Sequence, residues 1–120
     1  NYRLKNGDAH LKNFGLIYSG IDDIKLAPAY DVVSTVVYIK NDIPALLLLG
    51  SKKWWDKKYL EKFGIQTCSL TKKEVDNAIF ECENAINIVR DNLLKRLEIE
   101  KNKNKKEVLG KLIEITNNKY

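Results

Sequence analysis

Asn6-Gly7-Asp8-Ala9-His10-Leu11-Lys12-Asn13-Phe14 gathers the chain's only histidine, an aspartate, a lysine and two asparagines into nine residues. Asp8 and Asn13 stand in the spacing Asp-x-x-x-x-Asn, and Gly7 allows a tight turn ahead of the aspartate. Phe14 to Tyr18 reads as a strand leaving this loop, Gly20-Ile21-Asp22-Asp23 as a turn, and Ile24 to Leu26 as the returning strand. Ala27-Pro28-Ala29-Tyr30-Asp31 follows, so a second aspartate arrives 23 positions after Asp8. A hairpin is what returns two such distant sites to one place. Asp, Asn and Gly also crowd ordinary turns, and an isolated Asp-x-x-x-x-Asn is common. The joint pattern with His10, Lys12 and Tyr30-Asp31 is much rarer.

The chemistry that uses these residue types in this order is phosphoryl transfer. The transferred group carries heavy negative charge, so catalysis is mostly positioning and charge neutralisation. Protein kinases place a base aspartate first, an Asn that holds Mg²⁺ five residues on, and a metal-binding aspartate later. Asp8 fits the base, oriented to take a hydroxyl proton. Asn13 and Asp31 offer the oxygen ligands that hard Mg²⁺ prefers. Lys12 can neutralise phosphoryl oxygens as a point charge.

At these residues the sequence resembles the HipA family, bacterial serine/threonine kinases that are the toxins of toxin–antitoxin pairs. The family pattern Asp-x-His-x-Lys-Asn-Phe is met by Asp8 to Phe14, and Pro-x-Tyr-Asp with small and branched residues after it by Pro28 to Thr35. The close match covers residues 6–35 and a weaker one reaches Trp54. The resemblance implies Asp8 as catalytic base, Lys12 at the phosphate, and Asn13 and Asp31 as Mg²⁺ ligands. His10 is assigned to the cofactor side of the loop, with structural orientation of the loop as the competing role. ATP and Mg²⁺ are the implied cofactors. A translation enzyme such as an aminoacyl-tRNA synthetase is the implied substrate, and a HipB-like antitoxin the implied partner, with DNA reached only through that antitoxin. Aminoglycoside and choline phosphotransferases are the nearest competitors. They carry His-Gly-Asp-x-His-x-x-Asn, whereas here the first position is Asn6 and Lys12 precedes the Asn. A non-catalytic binding module is the third reading, weakened by intact Asp8, Asn13 and Asp31.

A chain of 120 residues is long enough for one modest core and too short for a two-lobed kinase. It contains no methionine, and the loop stands almost at its start, with no Gly-rich phosphate loop or Val-Ala-Ile-Lys-like strand before Asp8. The expectation is a fragment, the C-terminal lobe of a HipA-like, protein-kinase-like fold, inefficient alone. Net charge is +5, and residues 1–50 hold 5 basic and 5 acidic side chains, so the excess lies in the second half. That basicity permits acidic partners without establishing them. Cys68 and Cys82 form neither a zinc pattern nor a disulfide framework. The longest apolar run, Ile43 to Leu49, is too short to span a membrane, and a cytoplasmic protein is expected.

The expected architecture is mostly α with a small β-hairpin at 14–27 and a helical tail over 54–118. Residues 32–39 are β-branched and suit a strand, whereas the resemblance suggests a helical turn just after Asp31. Ala45 to Leu49 fits a short buried strand or part of a helix. Trp54 to Phe63 reads as a helix stopped by Gly64, with Trp55, Tyr59, Leu60 and Phe63 on one face, either core or an aromatic platform for RNA. Thr71-Lys72-Lys73-Glu74 is a capping box. The helix after it carries Val75, Ala78, Ile79, Cys82, Ala85, Ile86, Val89, Leu93 and Leu97, a stripe expected to bury against the preceding helix and the catalytic-loop layer. Asn104 is the expected cap of a last helix reaching Thr116, with Val108, Leu109, Leu112 and Ile113 inward. Lys101 to Lys106 holds four lysines, a solvated run or a phosphate-contacting patch.

Overall fold

The computed structural model describes residues 1–118. The chain divides into two compact units, Asn1–Lys53 and a second beginning at Trp54.

The first unit is loop-rich. A turn over residues 2–5 leads into the loop, which ends in a single 3-10 turn, Leu11–Asn13. The hairpin follows as β1 (Leu16–Tyr18) and β2 (Ile24–Leu26), antiparallel, with Leu16 opposite Leu26 and Tyr18 opposite Ile24. One further bond, from the Ala27 N–H to the Gly15 carbonyl (2.8 Å), carries the pairing back toward the loop. Every residue of both strands is exposed. The β-branched stretch after Asp31 forms no strand. It folds into a second 3-10 turn, Thr35–Val37, that buries Val37, and begins four residues after the aspartate.

The apolar run 45–49 is neither helix nor buried strand. Leu48 and Ser51 exchange both backbone hydrogen bonds at 3.1 Å around Leu49-Gly50, and both central residues have positive φ (52° and 76°). That is the backbone of a type I′ turn, which Gly50 accepts freely and Leu49 does not.

The second unit is built from three helices, α1 (Lys57–Gln66), α2 (Lys72–Ile99) and α3 (Lys103–Asn117). The start of α1 is Asp56, not Trp54, and Gly64 lies inside the helix, not past its end. Gly64 is buried because Val75 of α2 packs on it: a Cβ there would sit 2.8 Å from Val75 Cγ2. Trp55, Tyr59, Leu60 and Phe63 are all half-buried, and the Trp55 and Tyr59 rings lie 4.5 Å apart.

At 28 residues, α2 is about 42 Å long. Its capping box is present. The Thr71 N–H and hydroxyl donate to Glu74 Oε2 (2.8 and 2.7 Å), and the Glu74 N–H donates back to Thr71 Oγ1 (3.3 Å). These bonds hold the Glu74 carboxyl below its usual pKa, the hydroxyl bond first and the backbone bond next. Val75 and Ile86 are the buried residues of the stripe; Ile79, Cys82, Leu93 and Leu97 are half-buried, and Ala78, Ala85 and Val89 are exposed. α2 packs against α1 and, more extensively, α3. The cap of α3 is Asn102, two residues ahead of the expected Asn104, with Asn102 Oδ1 accepting from the Lys105 N–H (3.1 Å). Its inner face is Val108, Leu109, Leu112 and Ile113 as expected, extended by buried Thr116, whose hydroxyl donates to the Ile113 carbonyl. Among the described residues no helix is long and apolar enough to cross a membrane.

Candidate active site

The predicted residues all lie in the first unit, where the loop and the segment after β2 are tied together. Asn13 Nδ2 donates to Asp31 Oδ2 at 2.8 Å. One residue back on each strand of chain, the Tyr30 hydroxyl donates to the Lys12 carbonyl. Two adjacent residues thus grip two adjacent residues, and the hairpin between them is the span that makes this possible. Asn13 itself is fixed from the other side, its Oδ1 accepting from the His10 N–H at 3.0 Å.

Asp31 adopts φ +53°, a left-handed conformation that costs most L-residues about 1–2 kcal/mol. Asp and Asn enter it more readily than other side chains, which suits this position. The Asp31 carbonyl is held by Asn6 Nδ2 (3.3 Å).

Asp8 and Lys12 are exposed, and among the described residues their side chains form no hydrogen bond or ion pair with the rest of the chain. The Asp8 backbone N–H donates to Asn6 Oδ1 (3.1 Å), which fixes its Cα while leaving its carboxylate in water. His10 is half-buried, and its Nδ1 is buried without a hydrogen-bond partner.

Three residues that sequence patterns did not mark hold the loop in place. Asn6 is 2% exposed, among the most buried side chains described. Thr35 Oγ1 accepts from the Gly7 N–H (2.7 Å), bonds the Lys5 carbonyl (3.2 Å) and meets the Asp42 carboxylate. Asp42 in turn explains Gly7. Gly7 is absent from the glycines of positive φ, so the residue is required by space: a Cβ would lie 2.0 Å from Asp42 Oδ2 and 2.8 Å from the Ile43 carbonyl oxygen. Lys5, beside this hub, has its ammonium pKa lowered by burial and then by the charge of Arg3. The only local signal for the hub was polar residue type, since the bonds from Asn6 to Asp31 and from Thr35 to Lys5 and Gly7 join positions 25 to 30 apart.

The donor set suits Mg²⁺ better than a softer metal. Asn13 and Asp31 offer an amide oxygen and a carboxylate, oxygen ligands of the kind Mg²⁺ takes while keeping its waters. Here the Asn13 oxygen accepts from the His10 N–H and its NH₂ faces Asp31, so holding an ion would need the Asn13 amide to turn or its oxygen to use its second lone pair. Among the described residues no group of three or more His, Cys, Asp or Glu could hold a metal ion.

The chain belongs to the HipA-like C-terminal domain family, whose sequence model matches residues 1–89. That match takes in the loop, the hairpin, α1 and most of α2. A relative from Sinorhizobium fredii, named "Putative kinase Y4dM", is 46% identical over 48 residues. The matched segment covers 40% of this chain and spans 12% of the relative's length. No solved structure matches the chain significantly.

Proposed function

We propose that this chain is the C-terminal catalytic lobe, of protein-kinase-like fold, of a HipA-like serine/threonine kinase. The observation that carries the reading is the Asn13–Asp31 contact at 2.8 Å, which gathers the two candidate metal ligands across the hairpin. Family membership and the kinase name of the relative support the class. In this reading a protein Ser or Thr hydroxyl attacks the γ-phosphorus of ATP, its proton passes to the Asp8 carboxylate, and ADP leaves. Mg²⁺ bound at Asn13 and Asp31 supplies charge neutralisation of the phosphates. Lys12 adds a cation at the phosphoryl oxygens. His10 orients the loop through its backbone bond to Asn13, on the cofactor side of the site.

Residues 1–120 contain no Gly-rich phosphate loop, so this reading places most of the ATP grip elsewhere in the protein. Its further terms are a cytoplasmic location, a translation enzyme such as an aminoacyl-tRNA synthetase as substrate, and a DNA-binding HipB-like antitoxin as partner in a toxin–antitoxin pair. Resemblance to the family is what supports these terms.

The test is Asp8→Asn in the full-length protein, assayed with γ-labelled ATP and a cell extract. A drop of about 10²–10⁴-fold in protein phosphorylation is expected for loss of a general base. Undiminished transfer removes Asp8 from that role. Label appearing on an aminoglycoside or choline, and not on protein, reassigns the substrate class.

A further inference from the structure

We propose that Asn6 is the positioning residue of this site: one buried carboxamide that sets the main chain of the base-bearing Asp8 against that of the metal-bearing Asp31. The inference rests on the kinase reading for the roles of those two aspartates. Its geometry does not.

Asn6 Oδ1 accepts from the Asp8 N–H (3.1 Å). Asn6 Nδ2 donates one hydrogen to the Asp31 carbonyl (3.3 Å) and the other to Asn1 Oδ1 (2.9 Å). Both amide hydrogens are used and the oxygen is used, so the group is satisfied at 2% exposure. The amide orientation is determined by its partners. Reversing it sets an NH₂ against the Asp8 N–H and an oxygen against the Asp31 carbonyl, and both contacts are repulsive.

This single group therefore spans the 23 positions between the two aspartates. What it holds at the far end needs holding. Asp31 is in the left-handed region at φ +53°, and its carbonyl direction is set by the bond to Asn6 while its carboxylate is set by the bond to Asn13. Release of the carbonyl frees the peptide to rotate, and the carboxylate moves with it. At the near end, the Asp8 side chain makes no bond among the described residues, so its placement rests on the backbone that Asn6 fixes.

Few side chains can do both jobs. Asp accepts but cannot donate, Ser is too short to span, and Gln adds a methylene at a position only 2% exposed. Asp in particular separates the two functions: Asn6→Asp keeps an acceptor for the Asp8 N–H and places a carboxylate against the Asp31 carbonyl. Asn6→Leu loses both bonds.

The experiment is done in the full-length protein with three variants: Asn6→Asp, Asn6→Leu and Asp8→Asn. Mn²⁺ binding is followed by electron paramagnetic resonance, and phosphoryl transfer is followed over a Mg²⁺ titration. Asn6→Asp is expected to weaken Mn²⁺ binding and raise the half-saturating Mg²⁺ concentration about tenfold or more, the usual cost of a lost outer-sphere partner, with a smaller loss of rate at saturating Mg²⁺. Asn6→Leu is expected to lower that saturating rate as well. Wild-type Mn²⁺ binding and Mg²⁺ requirement in Asn6→Asp, with Asp8→Asn inactive, overturn the positioning role and leave the kinase reading standing. Active Asp8→Asn beside weakened Mn²⁺ binding in Asn6→Asp does the reverse. If the Asn6 variants do not fold, the side-chain NH₂ resonances of Asn6 in the wild-type protein decide. Slow exchange, and a shift on adding Mg²⁺ with a non-hydrolysable ATP analogue, support the role. Fast exchange or no shift overturns it.

Discussion

The loop-rich unit and the helical unit of this chain are held together by different physics. In the helical unit, order follows apolar periodicity: Val75 and Ile86 are buried about three turns apart on α2, Ile113 is buried on α3, and a local capping box starts α2. In the loop unit the hairpin's apolar side chains face outward, with Leu16 55% and Leu26 68% exposed, while Asn6 and Ser34 are buried. There the conformation is set by a few polar side chains that bond main-chain groups far along the sequence. A helix bundle tolerates approximate chemistry as long as volume and period are kept, whereas a loop of this kind depends on individual hydrogen bonds.

Substitutions can break or sharpen this contrast. The largest effect is expected from Ile86→Ala, which removes a side chain 5% exposed at the centre of α2 and costs about 2–5 kcal/mol in urea unfolding. Leu16→Ala, on the exposed hairpin, is expected to stay within about 0.5 kcal/mol of wild type. Equal costs at the two positions break the contrast.

Gly7→Ala comes next. Its Cβ meets the Asp42 carboxylate and the Ile43 carbonyl, so the Thr35 hub must open, at about 1–3 kcal/mol by the usual cost of overpacking. Hydrogen exchange at the Gly7 amide should rise with it. An unchanged melting curve removes the hub's importance.

The two helical glycines form a smaller, paired test. Gly110 has open space around it and Gly110→Ala should stabilise the chain by about 1 kcal/mol. Gly64→Ala should fail to do so, because Val75 occupies the place of the added methyl. The smallest effect is electrostatic. The Glu74 carboxyl has a lowered folded pKa, so its contribution is complete above the ordinary carboxylate range and is lost as pH falls through the lowered value. Glu74→Gln should therefore be less stable than wild type at neutral pH and equal to it in acid, as read by unfolding at both pH values. Thr71→Ala should cost about 1 kcal/mol at neutral pH.

Legibility from sequence followed the same division. The α2 cap and the inner face of α3 were readable because every signal lies within a few residues of its effect, and of the nine stripe residues of α2 six are buried or half-buried while Ala78, Ala85 and Val89 are exposed. Errors arose where a neighbour distant in sequence decides. Gly64 read as a helix stop because glycine is a poor helix former, but Val75 makes a small residue necessary inside α1. Trp54 and Trp55 drew the start of α1 three residues early, since aromatic side chains fit the period while the helix begins at Lys57, with Asp56 at its cap. The run 45–49 read as buried on apolar character alone, and Leu47 is 65% exposed. In the site, the approach of Asp31 to Asn13 was legible from a motif and a hairpin. The hub of Asn6, Thr35 and Asp42 was not, because the bonds that Asn6 and Thr35 make to backbone 25 to 30 residues away leave no periodic or compositional trace, and Asp42 joins through Thr35.

Whether Asn13 and Asp31 together hold the metal of a phosphotransfer site is measured by Mn²⁺ binding to the full-length protein with Asn13→Ala, Asp31→Asn and the double variant compared in one cycle. Each single change is expected to weaken binding at least about tenfold and the double change to add little more, because the two side chains serve one ion. Wild-type affinity in Asp31→Asn, or fully additive losses at the two positions, would contradict it.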